Sequence, residues 1–502
     1  TKQDVVDWAN KYLGPESYAI IYKREGKDPN EQKIAAPKIT PIVTNRDSQS
    51  EFLSEIQTSQ VQPIEPVFVD YKKDMSQFEA QPGIDVLYKK NETNDIFTLI
   101  YVFNTGTEND PALNLAFNYL SYLGTDKMTA EEIASEMYDI ACSFYMNAGA
   151  NQSSIQITGL SENMGKAMEI VEGLIAGAKP DEAILENLKG DMLKSRADAK
   201  LNQSRCFGAL QRYLFYGGDF IRRTTLTDPA LQALTSEQLL AKIGDLTGKQ
   251  HEVLYYGPQK ETEIKSALAE HHKVAADLQP LEKKFSALLP TDANKVVLAQ
   301  YDAKQLYYLQ FSNRGEKFDV AADPEITLYN EYFGGGMNTI VFQEMREARG
   351  LAYSAWATLA TPSNANGDYS YYAFIATQND KMQKAVEAFD DIINNMPESE
   401  KAFGIAKEAL VSRLRTERTV KDGVLWSYLR ARDLGLDAPR DKQIFEKVQS
   451  MTLDDVKAAQ QKWVKGRKYV YGILGDIQDL DLNYLKTLGP IQTVSQEEIF
   501  GY

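Results

Sequence analysis

The stretch Thr452-Leu-Asp-Asp455-Val456-Lys-Ala-Ala-Gln-Gln-Lys-Trp463, followed by Lys468-Tyr-Val-Tyr-Gly-Ile-Leu-Gly475, occurs in three versions. A second is Thr235-Ser-Glu-Gln-Leu-Leu240-Ala-Lys-Ile243, then His251-Glu-Val-Leu-Tyr-Tyr-Gly257. The third opens the chain as Thr1-Lys-Gln-Asp4-Val5-Val-Asp-Trp8-Ala-Asn-Lys-Tyr12, then Tyr18-Ala-Ile-Ile-Tyr22. Each reads as a Thr N-cap, a short amphipathic helix and a closing strand. Beginnings repeat as well. Asp110-Pro111 starts a helix containing Leu115 and Tyr119, and Asp323-Pro324 starts one containing Leu328 and Tyr332. Proline in a first helical turn costs no hydrogen bond. Pro111 to Pro324 and Thr235 to Thr452 are nearly the same offset, and that period is far too long for a solenoid. The repeat predicts two homologous domains, 69–280 and 281–502, preceded at 1–26 by the tail of a third. Residues 27–68, with Pro29, Pro37, Pro41, Pro63 and Pro66, read as an extended linker.

Paired strands open each full domain: Ile84–Tyr88 with Ile96–Phe103, and Val296–Leu298 with Leu306–Phe311. Helices follow, then strands at Ser154–Thr158 and Asp368–Ala376, then helices over Asn163–Ala176 and Asp380–Asn394. Hairpin-like strands mixed with helices predict an α+β fold, each domain a mainly antiparallel sheet with helices packed on it.

Composition narrows the function. Hydrophobic residues make up 43% and charged residues 25%, an ordinary globular balance. The net charge of −16 repels phosphate backbones and argues against nucleic acid as a partner. No apolar run approaches the roughly 18 residues of a membrane span. Thr1 begins inside a helical pattern without a signal-peptide pattern, which reads as the interior of a longer protein. Cys142 and Cys206 fit neither a metal spacing nor a disulfide framework, so buried free thiols are expected.

The most specific stretch is Phe333-Gly-Gly-Gly336-Met-Asn-Thr-Ile-Val-Phe342-Gln-Glu-Met-Arg346-Glu-Ala-Arg349-Gly350-Leu-Ala-Tyr353. A triple glycine opens a helix here, Gly350 ends it, and a strand starts at Leu351. This resembles the substrate-binding Arg and Tyr of the pitrilysin/insulinase family of inverted zinc peptidases, which carry His-x-x-Glu-His. The resemblance implies that Arg346 holds a substrate carbonyl and that Tyr353 donates to the oxyanion, as the catalytic member of the pair. Arg349 competes for the Arg role, three residues on and on a similar face. The seven-residue spacing of the family pattern selects Arg346. The glycines lack the Lys and Ser/Thr of a phosphate loop.

In that family the metal motif lies on the first helix of a domain, before a Gly-Thr turn. Gly124-Thr125 resembles the turn, which places the motif at Leu115-Ala-Phe-Asn118-Tyr119, without His or Glu. The other domain has Leu328-Tyr-Asn-Glu331-Tyr332, with Glu331 but no His. A third ligand is expected around Lys189–Lys200, and no Glu occurs from Asn187 to Ser236. The chain has three histidines, His251, His271 and His272, read as surface residues rather than ligands. The resemblance therefore implies the C-terminal, non-zinc half of a zinc endopeptidase. Its zinc would belong to the intact enzyme, in an N-terminal half or subunit, with none bound by this chain. Its substrate would be a peptide enclosed between the halves, and its compartment the periplasm. The alternative is a catalytically dead family member acting as a scaffold or regulatory subunit.

Overall fold

The computed structural model describes residues 1–14, 16, 18–22, 26, 50–60 and 62–502. These form two units, Thr1–Gln62 and Pro63–Tyr502. In the first, the helix Lys2–Tyr12 starts at the expected Thr1 cap, which forms a capping box with Asp4. This helix buries none of its residues, and Trp8 and Ile21 remain 57% and 90% exposed. Residues 18–22, read as a strand, are not in one, because a lone strand has no neighbour for its backbone hydrogen bonds. A second helix, Glu51–Thr58, capped by Ser50, lies within the stretch read as an extended linker. Residues 27–49 of that stretch fall outside the described residues.

The second unit holds two six-stranded sheets. The strands of the first are β1 (Ser76–Gln81), β2 (Ile84–Lys90), β3 (Ile96–Phe103), β4 (Cys142–Ala148), β5 (Ser153–Leu160) and β6 (His251–Gly257). The second has β7 (Lys295–Gln300), β8 (Gln305–Ser312), β9 (Ser354–Ala360), β10 (Ser370–Gln378), β11 (Val470–Gly475) and β12 (Ile491–Val494). Their orders are β1-β2-β6-β3-β5-β4 and β12-β7-β11-β8-β10-β9. Five strands match one to one, and most pairs are antiparallel, as the repeat predicts. The sixth position differs: β1 enters from the N-terminal side antiparallel to β2, whereas β12 enters from the C-terminal side parallel to β7.

One expectation is corrected. The opening strands do not form hairpins, because the closing strand inserts between them. β6 lies parallel to β2 and antiparallel to β3, and β11 does the same between β7 and β8. Every residue of both closing strands is buried, and the centre of the sheet is the place that buries both of their faces.

One face of each sheet carries its own helices. The second core gathers Leu306, Tyr308, Ile375, Tyr329 and Phe389 between sheet and helices. The opposite faces are covered reciprocally. The long helix Gln203–Thr224 lays Phe207, Leu210 and Leu214 against Leu309, Phe311, Phe374 and Leu474 of the second sheet. The helix Gly423–Asp433 lays Leu425 and Leu429 against Leu87, Ile100 and Leu254 of the first. A bidentate pair from Arg432 to Glu252 on β6, at 2.6 and 2.7 Å, reinforces that contact. Cys142 and Cys206 are buried free thiols, as expected, and burial pushes both thiols up in pKa.

Candidate functional site

The Arg346–Tyr353 segment is built by a helix that ends, a turn and a second helix that widens. The helix Asp323–Phe333 ends at Gly334, so the triple glycine closes this helix before the next one begins at Ile340. Gly334 runs against the edge of the second sheet. Its carbonyl accepts the Ala357 amide at 2.9 Å, and a Cβ at this position would overlap the Ala357 carbonyl oxygen. Asn330 continues the closure, donating to the Leu359 carbonyl and accepting its amide, both at 2.9 Å. The glycine thus lets a helix end cover an open strand edge; it does not cradle phosphate.

After one α-helical turn, Ile340–Phe342, the chain becomes π-helical from Gln343 to Ala348. Single π turns occur often at functional sites, and Arg346 lies inside this one. Gly350 is left-handed at φ 57, the conformation expected of the residue ending this helix. The Leu351 amide then reaches back to the Met345 carbonyl at 2.9 Å. Tyr353 follows in the turn, one residue before β9 and not on the strand where it was expected.

Arg346 and Tyr353 meet. The Arg346 guanidinium carbon lies 4.8 Å from the Tyr353 ring centroid and 4.9 Å from that of Phe342. Two rings thus hold the cation, and Phe342 is a contributor that the sequence reading missed. The ion pair of Arg346 with Glu347 is long, at 3.5 Å. Tyr353 is 76% exposed, and its hydroxyl has no hydrogen-bond partner among the described residues. Arg349 is committed elsewhere, to Asp391 at 2.8 Å and to Glu344 at 3.3 Å, and the Asp391 contact raises its pKa. Beside Tyr353 lies a pocket of about 310 Å³ walled by Tyr307, Trp356, Phe374 and Phe207.

The positions aligned with the metal motif are packed shut. Leu115, Ala116, Phe117 and Tyr119 are buried on the helix Leu113–Leu120. The Tyr119 hydroxyl donates to Ser236 Oγ and accepts the Asp181 amide, both at 2.7 Å. Tyr332 does the equivalent, donating to the Pro397 carbonyl at 2.7 Å and accepting the Ser399 amide at 3.1 Å. Glu331 is ion-paired with Arg413 at 2.7 Å. The helix Glu182–Lys200, where a third ligand was expected, buries Lys189, an ammonium where the metal would need a carboxylate. Among the described residues no group of three His, Cys, Asp or Glu side chains can hold a metal. Zinc does not fit this donor set.

The histidines require a correction. His251 and His272 are not surface residues; each is 4% exposed, and their Nε2 atoms are 2.8 Å apart. Glu172, from another helix, meets His272 Nδ1 at 2.6 Å. No spacing in the sequence signals this contact.

The fold has counterparts. The Peptidase M16 inactive domain family matches residues 246–410. That segment of the chain is similar to Peptidase M16 inactive domains. This agrees with the family resemblance carried by Arg346 and Tyr353. A Streptomyces coelicolor protein named an uncharacterized zinc protease is 23% identical over 266 residues, covering 49% of this chain and 56% of the relative. The peptidase M16 inactive domain from Pseudomonas fluorescens superposes with a TM-score of 0.63 at 18% identity, covering 80% of this chain and 98% of that one. The periplasmic protease PqqL from Escherichia coli superposes with a TM-score of 0.63 at 13% identity, covering 95% of this chain and 51% of that one. The matches thus span only about half of the Streptomyces relative and of PqqL.

Proposed function

We propose that this chain is the non-zinc half of a zinc endopeptidase. The observation that carries the reading is the contact between Arg346 and Tyr353, which leaves a phenol hydroxyl exposed, without a partner among the described residues, beside a fixed guanidinium. A planar guanidinium is suited to peptide carbonyls, and a phenol hydroxyl donates to an oxyanion. Arg346 holds a substrate carbonyl, and Tyr353 stabilises charge developing on the neighbouring one. The metal and the base reside in an N-terminal half, since the histidine-free helices here leave no place for them.

Domains at 69–280 and 281–502 suit this role, with 1–26 as the end of a preceding one. In favour of that third domain, the helix Lys2–Tyr12 exposes its apolar face, while its counterparts Ser236–Thr247 and Leu453–Ala459 bury theirs. The periplasm is the proposed compartment, by analogy with the periplasmic protease PqqL. The test is hydrolysis of a mixed fluorogenic peptide library by this chain, with zinc added and a chelator control. No cleavage is expected until the N-terminal half is supplied. Chelator-sensitive cleavage by the chain alone would overturn the assignment.

A further inference from the structure

The two sheets end differently, and the difference leaves one strand edge unfilled. β4 and β9 are equivalent edge strands, paired on one side only, to β5 and to β10. In an antiparallel pair, alternate residues exchange both hydrogen bonds with the neighbour, and the residues between them turn their amides and carbonyls the other way. On β9 the outward residues are identified by what they bond. The Ala357 amide donates to the Gly334 carbonyl, and Leu359 exchanges two bonds with the Asn330 side chain. That edge is closed at two successive outward positions.

On β4 the alternation is fixed at both ends. The Leu160 amide donates to the Ala141 carbonyl at 3.3 Å, and the Gly149 amide donates to the Gln152 carbonyl at 2.9 Å. Ser143 stands opposite Thr158 and Tyr145 opposite Gln156, so the odd-numbered residues bond β5. Cys142, Phe144, Met146 and Ala148 therefore turn their backbone groups outward. Among the described residues, nothing bonds the outward groups of Phe144 and Met146. Tyr119 and Tyr332 are equivalent, so Asn330 and Gly334 correspond to Phe117 and Ser121. Phe117 is a fully buried ring that can neither donate nor accept, and the Ser121 hydroxyl turns back to the Asn118 carbonyl at 2.7 Å. The first domain thus lacks the closure that the second has. Just past β4 the Thr107 and Glu108 amides close on the Gly149 and Ala150 carbonyls, both at 2.8 Å, which bounds the open stretch.

An open edge is a template for an added strand, and the surroundings select its charge. The helix Ala130–Asp139 packs beside β4 and carries Glu131, Glu132, Glu136 and Asp139 but no base, with Lys127 just before it. Of the bases on the next helix and the turn after it, Lys166 is paired with Glu169 at 3.6 Å and Lys179 with Asp126 at 2.8 Å. A second copy of this chain would bring the same acids and a net charge of −16 to the contact, and is repelled. A basic segment is attracted. Tyr145, 65% exposed, offers its ring to a cross-strand neighbour. We propose that the outer edge of β4 takes an extended, lysine- or arginine-bearing peptide segment as an added strand, hydrogen-bonded at Phe144 and Met146. Naming that segment as part of a peptidase substrate rests on the function proposed above; the docking itself does not.

The test titrates the full chain with a capped, fluorescein-labelled peptide alternating lysine with valine, and with its counterpart carrying glutamate for lysine. The lysine peptide should bind at least about tenfold more tightly. A variant with Glu131→Lys and Asp139→Lys, both at exposed positions, should reverse that order. Residue-resolved hydrogen exchange supplies the second readout. Saturating lysine peptide should slow the Phe144 and Met146 amides and leave Ser143 and Tyr145, already bonded to β5, unchanged. Binding without that alternation would be charge attraction alone and would overturn the proposal. Equal affinity for the two peptides, or no saturation below about 1 mM, would overturn it too. So would protection of the same two amides on raising the concentration of the chain without peptide, which would make the occupant a second copy. Cleavage is not read, so failure here leaves the Arg346 and Tyr353 assignment standing, and failure of that assignment leaves the strand edge standing.

Discussion

Replacing Tyr353 with Phe in the proposed two-half peptidase separates chemistry from folding. The ring that contacts Arg346 at 4.8 Å is retained, so the cation–π contact, worth ~0.5–1 kcal/mol at an exposed site, survives. The hydroxyl makes no hydrogen bond with the described residues and the side chain is 76% exposed, so the folded state loses nothing measurable, within about 0.5 kcal/mol. The whole effect should fall on the reaction. Removing one oxyanion donor costs about 3 kcal/mol, or roughly a few hundredfold in turnover. The assay is kcat and KM on a fluorogenic peptide, with zinc content and urea midpoint measured on the same preparations. The expected pattern is a kcat lowered by about two orders of magnitude, with KM, zinc and midpoint unchanged. A kcat within about threefold of wild type would refute the donor role, since that is less than ~0.7 kcal/mol of transition-state stabilisation.

Three further outcomes follow from the packing. Arg432→Met strips the partner from Glu252, whose side chain is 11% exposed on a central strand; because Arg432 itself is 40% exposed, about 2–3 kcal/mol is expected, read as a lower urea midpoint, with partial recovery in the double variant carrying Glu252→Gln. Gly334→Ala drives a methyl group into the Ala357 carbonyl, so the helix end must leave the edge of β9; peptide turnover should fall and the edge amides of β9 should lose exchange protection, and intact protection would contradict the close approach. Burial, with His272 second, lowers the His251 pKa from 6.5 to about 4. The unfolded chain therefore takes up a proton between those values that the folded chain refuses, and stability falls as pH drops from about 6.5 to about 4. The loss is about 3 kcal/mol, and a His251→Asn variant should show a correspondingly shallower decline of urea midpoint.

Much of the site was legible because its signals are local. Gly350 had to end a helix, Arg346 and Tyr353 had to lie on either side of that corner, and the Leu115–Tyr119 helix visibly lacked ligands. Glycine conformation, cap chemistry and residue absence are properties of a few adjacent positions. The triple glycine was misread because its role depends on a strand more than twenty residues away, whose carbonyl excludes a Cβ at Gly334. Choosing Arg346 over Arg349 rested on a resemblance, and the structure adds a physical ground, since Asp391 and Glu344 occupy Arg349.

By itself the sequence determined that this is an α+β protein of two repeated units, because apolar periodicity, Thr caps and Asp-Pro starts are written residue by residue. It also determined that the first-helix positions matching the family motif lack histidine, since no fold can supply an imidazole that the chain does not encode there. Only the tertiary structure decided the order of the strands, the reciprocal covering of each sheet by a helix from the other domain, and the chain of hydrogen bonds from Glu172 through His272 to His251. These depend on which surfaces are left to bury once the local elements exist. Glu172 and His272 are a hundred positions apart in the chain and 2.6 Å apart in the fold, and nothing in either neighbourhood encodes the other.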